Sequence, residues 1–288
     1  MTFQATRLIF LVAILAGQNH AVGQDDDPEL TEEQKSEARM TFMQEAVARF
    51  DMQLPAPDSV TAKVVEKLLL RWVNPHSSSR DGILTAFVAD GRPAGMAQLA
   101  IYKGGNAVTE FHFTSESPFT FRRDGAQVWK SDKPTISFAK LTDARAPTDT
   151  GVRRLIQMRQ IAGEFEVWDD HGWTKTVRQQ LRLLPQPVYR YEDKSLNVVD
   201  GAVFVFALAN DPEAVVLVEA CEKDGSHWWQ YACSPVSIYA LEAKRKDEVV
   251  WTAPERRVFG RGYMTQYVGP YSMAPGDPDL KSILPKSD

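Results

Sequence analysis

Cysteine and histidine are scarce in this chain: two cysteines, Cys221 and Cys233, and five histidines among 288 residues. No paired C-x-x-C, H-E-x-x-H, G-x-S-x-G or G-x-x-x-x-G-K occurs, which removes the usual zinc, nucleophile-elbow and phosphate-loop signatures. His76, His112, His171 and His227 never stand three or four positions apart, so no helical metal site is encoded. The sequence therefore supplies no catalytic residue, no cofactor-binding residue, no metal ligand and no cofactor, and an enzyme is not the favoured class. Excess positive charge is also missing. The formal net charge is −5, and loss of residues 1–23, with Arg7 as their only charged side chain, takes it to −6. That balance lacks the basic footprint of a nucleic-acid binder. Long apolar runs are lacking too. Residues 8–16 are too short to span a bilayer, and residues 202–218 are interrupted by Asn210-Asp211-Pro212-Glu213, so no membrane span is expected in the mature chain.

What is present at the start reads as an export signal. Arg7 precedes the apolar segment LIFLVAILA, and Ala21-Val22-Gly23 offers small residues before a cut at Gln24. Residues 1–23 are thus a signal peptide, residues 24–30 an acidic leader, and the destination is the periplasm or the cell exterior. Oxidising surroundings would preserve a bridge between Cys221 and Cys233. Their even separation puts them on one face of a hairpin centred near His227; two buried free thiols are the alternative.

The element pattern predicts an α+β fold of two similar halves, each a helix packed on an antiparallel β-meander of about five strands. Thr31 with Gln34 forms a capping box, and Met43, Val47, Phe50 and Leu54 form an apolar helical stripe. Residues 83–89, 96–102, 107–114, 119–123 and 126–130 read as strands joined by tight turns. A second stripe, Leu155, Met158, Ala162 and Phe165, follows candidate caps Thr148, Asp149 and Thr150. Residues 202–209 and 214–218 form a buried hairpin, with Asp211-Pro212 fitting a type I turn. The boundaries are 31–134 for the first α+β repeat, 135–147 for a linker, 148–254 for the second repeat, and 255–288 for a Gly/Pro-rich tail.

Three groupings could carry chemistry. Glu110 and His112 share a strand face, with Glu116 close behind. Trp168, Asp169, Asp170, His171 and Trp173 mix indoles, carboxylates and an imidazole in a loop that could hold a sugar or peptide. His76-Ser77-Ser78-Ser79 puts hydroxyls beside an imidazole. Each also has an ordinary reading, as a solvated strand face, a turn with tryptophans folded back, and a serine-rich loop. Trp228, Trp229 and Tyr231 are read as strand aromatics facing a core.

The stretches LLLRWVNP, DGILTAFVADGRP, GVRRLIQM, LRLLPQPVYRY, VVDGAVFVFALANDPE and VVWTAP resemble a family of uncharacterised exported proteins of planctomycete bacteria. The resemblance covers residues 68–134 and 183–254. It implies export and brings no activity, partner or site residue; the cysteine pair is not associated with the family pattern.

A non-catalytic exported protein with a structural or protein-binding role is the leading expectation. A carrier of a small or lipidic ligand in a groove between the halves is the second, and a hydrolase with a site hidden from sequence the third. The partner is thus an unknown protein or small ligand, and oligomeric state is not encoded. The sequence also predicts an internal duplication. Arg39, Met43 and Phe50 match Arg154, Met158 and Phe165 at an offset of 115. Arg71, Asp81, Gly82, Phe87 and Pro93 match Arg190, Asp200, Gly201, Phe206 and Pro212 at 119, and Trp129 matches Trp251 at 122.

Overall fold

The computed structural model describes residues 30–55, 59–74, 79–105, 107–170, 178–255 and 268–269. The export signal, His76, His171, Trp173 and most of the tail lie outside the described residues.

Helix α1 (Glu32–Ala48) starts at Thr31, where the Gln34 N–H donates to Thr31 Oγ1 and the Thr31 N–H donates to Gln34 Oε1. Glu32 and Glu33 in its first turn complement the helix dipole. Phe42, Met43, Ala46 and Val47 bury one face. The helix stops before Phe50, which opens strand β1 (Phe50–Leu54). Phe50 and Leu54 are four positions apart, a spacing that suits one face of a helix or of a strand. Their continuation of the helical stripe was therefore ambiguous, and pairing on both sides of the strand decides for β. Helix α2 (Gly151–Ala162) ends the same way before Phe165; its N-cap Thr150 makes no side-chain cap bond.

The first half continues with β2 (Val60–Val64), β3 (Leu70–Trp72), β4 (Ser79–Ala89), β5 (Arg92–Tyr102), β6 (Ala107–Phe113), β7 (Phe119–Arg123) and β8 (Ala126–Ser131). Its strand order is β6-β5-β4-β2-β1-β7-β8, with β3 beside β4. The sheet curls: β6 and β7 are far apart in that order, yet the Phe111 and Phe121 rings sit 4.8 Å apart. Helix α1 fills the inside of the curl against Phe87, Phe111, Phe113 and Phe121.

The second half comprises β10 (Phe165–Asp170), β11 (Arg178–Gln180), β12 (Arg182–Leu183), β13 (Tyr189–Asp193), β14 (Val198–Leu208), β15 (Asp211–Lys223), β16 (Ser226–Pro235), β17 (Ala240–Arg245) and β18 (Glu248–Ala253), following β9 (Ala139–Leu141) in the intervening segment. Its pairings repeat those of the first half. β10 pairs β11 and β17 as β1 pairs β2 and β7, and β14 pairs β12, β13 and β15 as β4 pairs β2, β3 and β5. Registers agree as well. Phe206 faces Ala214 where Phe87 faces Gly95, and Trp251 faces Ala243 where Trp129 faces Phe121. The edges are exchanged: β9 pairs β16 of the second half, and β19 (Val268–Gly269) pairs β6 of the first.

This corrects the expected fold class. The described residues are mostly β, 56% of them strand and 15% helix, in curled antiparallel half-barrel sheets rather than α+β helix-on-meander units. A meander would leave β7 beside β6; instead β7 returns to β1, a non-local pairing that local turn signals do not reveal. Among the described residues no helix is long and apolar enough to cross a membrane.

The long strands are buried on both faces. In β14, Ala202, Phe204 and Phe206 face helix α2, while Val203, Val205 and Ala207 face the other half. In β4, Ile83 and Phe87 face helix α1, while Leu84 and Ala86 face the second half. The two half-barrels thus pack back to back through β4, β5, β14 and β15.

Candidate functional site

The turn after β14 lies at Ala209-Asn210, with Ala209 at φ 54°, so Asp211 and Pro212 already belong to β15. The expected type I turn at Asp211-Pro212 is corrected accordingly. Pro212 is tolerated because the ladder bulges there: Ala207 pairs Pro212 and Phe206 pairs Ala214, leaving Glu213 as the extra residue. The bulge directs Glu213 into a cavity of about 100 Å³ at the junction of the halves.

Trp72, Gln98, Ala100 and Glu110 line this cavity from the first half; Asp211, Glu213 and Ser237 line it from the second. Asp211 joins the halves directly. Asn74 Nδ2 donates to its Oδ2 at 3.0 Å and Gln98 Nε2 to its Oδ1 at 2.8 Å. Burial raises the Asp211 pKa to about 7, with the Glu110 charge adding to the effect and the two amides opposing it. Glu213 is pushed well above the carboxylate range by burial, then by Asp211 and Asp169, with the Ser237 hydroxyl opposing and Glu110 adding to the rise. Asp169, wholly buried in β10, is raised to about 7 by burial and by the charges of Asp170 and Asp211. Burial also lifts the Tyr102 phenol to about 12. Two polar atoms here, in residues over nine-tenths buried, have no hydrogen-bond partner among the described residues, Trp72 Nε1 and Gln98 Oε1, and Glu213 has the Ser237 hydroxyl beside it.

The other end of the junction is complete. Arg92 donates to Glu219 through Nε at 2.7 Å and Nη2 at 3.1 Å, and its Nη1 lies 2.7 Å from Glu116 Oε2. The Tyr191 hydroxyl and Gln230 Nε2 supply two further donors to Glu219, at 2.8 and 2.7 Å.

Of the loop Trp168–Trp173, the structure places Trp168, Asp169 and Asp170 in a strand. Asp169 turns inward beside the acids of the cavity. Trp168 lies on the opposite face under Arg178, 5.2 Å from its ring centroid, and Asp170 is exposed. Glu110 and His112 do come together, with Nε2 3.5 Å from Oε2, and His112 is wholly buried. Glu116 belongs to the Arg92 end. Trp229 and Tyr231 sit in the α2-side core.

The expected disulfide is corrected: both cysteines are free and buried. The hairpin of β15 and β16 turns between Lys223 and Ser226, not near His227, so Cys221 faces Trp228 and Cys233 faces Val216. The cysteines are five ladder positions apart, about 17 Å at strand rise. They also lie on opposite faces, Cys221 between the halves and Cys233 toward α2. Burial raises both thiols to about 12.

Sequence reasoning passed over Asp211 and Glu213 because Asp-Pro reads as a turn. No local signal shows that three strands, β6, β10 and β15, deliver acids to one place.

Arranged this way, neutral carboxyls and unpaired donors and acceptors can hold a small polar molecule. No group of three or more His, Cys, Asp or Glu among the described residues is arranged to hold a metal ion. No family model matches the chain, and searches of curated proteins and of solved structures return no match.

Proposed function

We propose that this is an exported, non-catalytic protein that binds a small polar ligand in the acidic cavity between its halves. One observation carries the proposal: buried Glu213, aimed by a bulge into a cavity where Trp72 and Gln98 also leave polar atoms unpartnered. Unpaired buried polar groups are costly, and a structure retains them where a ligand completes them. The polar lining favours a small polar molecule over a lipid chain. Hydrolysis is less well supported. Ser237 lies beside Glu213, and a carboxyl kept protonated by burial is a poor base near neutral pH.

Native mass spectrometry of the mature protein from its source compartment should show a retained small molecule. The cavity-filling variant Ala100→Leu should lose it. Empty wild type, with no polar compound raising its melting temperature in an Ala100→Leu-sensitive way, overturns the proposal. Export is checked by N-terminal sequencing: the mature chain should begin near Gln24, and an intact Met1 overturns the cleavage.

A further inference from the structure

The junction is built twice from equivalent positions, and the two ends differ in charge. Register equates Arg92 with Asp211, Ala94 with Glu213, and Glu219 with Ala100, each at an offset of 119. It equates Leu54 with Asp169 at 115. Trp72 and Tyr191 correspond as well, each paired with the matching glycine of the adjacent strand. At the Arg92 end, a guanidinium meets a carboxylate that also receives the Tyr191 hydroxyl. At the cavity end, the cation has become Asp211, its anionic partner has become Ala100, and two further acids replace an alanine and a leucine.

Each replacement has a physical consequence. Alanine in place of glutamate leaves the space that is the cavity. Trp72 Nε1 has no partner where Tyr191 has Glu219. Asp211 is held by two amides, and Glu213 has only the Ser237 hydroxyl beside it among the described residues. Acceptors crowd the site: the carboxyls of Glu110, Asp211 and Glu213 and the amide oxygen of Gln98.

Building on the binding function proposed above, we infer that the ligand is a small nitrogen cation, a primary ammonium or guanidinium group, which sits in the space over Ala100 and supplies the positive charge that the chain's own Arg92 supplies at the other end. N–H donors match the crowded acceptors, and positive charge offsets the buried acids. Hydroxyl substitution on such a cation would also give the Trp72 N–H an acceptor. Binding should strengthen as pH rises through about 7, where Asp211 and Asp169 lose their protons, with Glu213, Glu110, Tyr102 and Tyr239 facing the same space.

The test uses methylguanidinium and its neutral isostere N-methylurea, followed through the Trp72 indole N–H resonance of the mature protein. Methylguanidinium should shift that resonance, and N-methylurea should bind at least about tenfold more weakly. Glu213→Gln should weaken methylguanidinium by about tenfold. Asp211→Arg with Ala100→Glu rebuilds the ion pair of the other end and should abolish binding; should that variant not fold, Ala100→Leu serves instead. Equal, variant-sensitive binding of N-methylurea overturns the cation while leaving a binding site. No shift from either compound, nor from a panel of small polar anions and neutrals, overturns both proposals.

Discussion

Replacing Glu213 by glutamine should make the protein less sensitive to rising pH. In the fold Glu213 is 2% exposed and its pKa is raised well above the ordinary range, first by burial and then by the charges of Asp211, Asp169 and Glu110. In the unfolded chain it ionises near pH 4, about 4.3 for a free side chain. Above pH 5, and until the raised folded pKa is reached, the folded state therefore holds one proton that the unfolded state has released. Stability then falls with pH by about 1.4 kcal/mol per unit for each such group. It is fully present below the unfolded pKa and is lost as pH climbs toward the folded pKa. Asp211 and Asp169, raised from 3.8 to about 7, act in the same direction and window. Glutamine keeps the shape and carries no titrating proton. Relative to wild type, Glu213→Gln should thus gain stability as pH rises from 5 toward the raised folded pKa, by up to about 1.4 kcal/mol per pH unit. Urea unfolding of both chains at several pH values measures this, and groups titrating elsewhere cancel in the difference. Parallel stability curves, or a gain that grows toward pH 5, refute the reasoning.

Three further outcomes are expected. Asp81→Asn should cost about 3–5 kcal/mol, because it removes the carboxylate from a buried ion pair whose side chains are 6% and 2% exposed; Asp200→Asn should cost less, since Arg154 is 17% exposed, and equal, small losses in urea unfolding would contradict this. Gly82→Ala and Gly201→Ala would each place a Cβ about 2.5 Å from the ring of Trp72 or Tyr191, costing about 1–3 kcal/mol by the same assay; wild-type midpoints would contradict that. Neither Cys221 nor Cys233 should react with iodoacetamide in the native protein, both should react once unfolded, and reduction should leave the intact mass unchanged; a gain of two hydrogens on reduction would show a bridge.

Much of the scaffold was legible because it rests on local chemistry. The capping box at Thr31, the long hairpin strands and the recurrence of Arg39, Arg71 and Asp81 as Arg154, Arg190 and Asp200 could all be read from spacing. The structure gives that recurrence atomic content. Arg39 Nε and Arg154 Nε meet Oδ2 of Asp81 and Asp200 at 2.8 and 2.9 Å. Arg71 and Arg190 grip the same carboxylates in two places and donate onward to the backbone carbonyls of Ser36 and Gly151. Less legible were β1 and β10, whose apolar spacing fits helix and strand alike, and the return of β7 and β17 across the curl. The cavity was hidden for the same reason. Asp169 drew notice for its tryptophan neighbours, whereas strand alternation separates it from Trp168 and turns it toward Glu213.

The differences between the halves carry the functional information. Positions that hold the scaffold agree: an arginine pair on a buried aspartate, a glycine beneath an aromatic ring, and a bulge after the same phenylalanine. Where the halves meet, they diverge by charge. One end pairs Arg92 with Glu219, a carboxylate receiving four donated hydrogen bonds, and this locks the junction. The other discards that pair and gathers Asp169, Asp211 and Glu213, acids whose burial raises their pKa values and makes their ionised forms costly. A lock at both ends would serve stability better. Local rules broken at one of two equivalent sites, while their satisfied version stands at the other, mark the broken one as kept for binding rather than for folding.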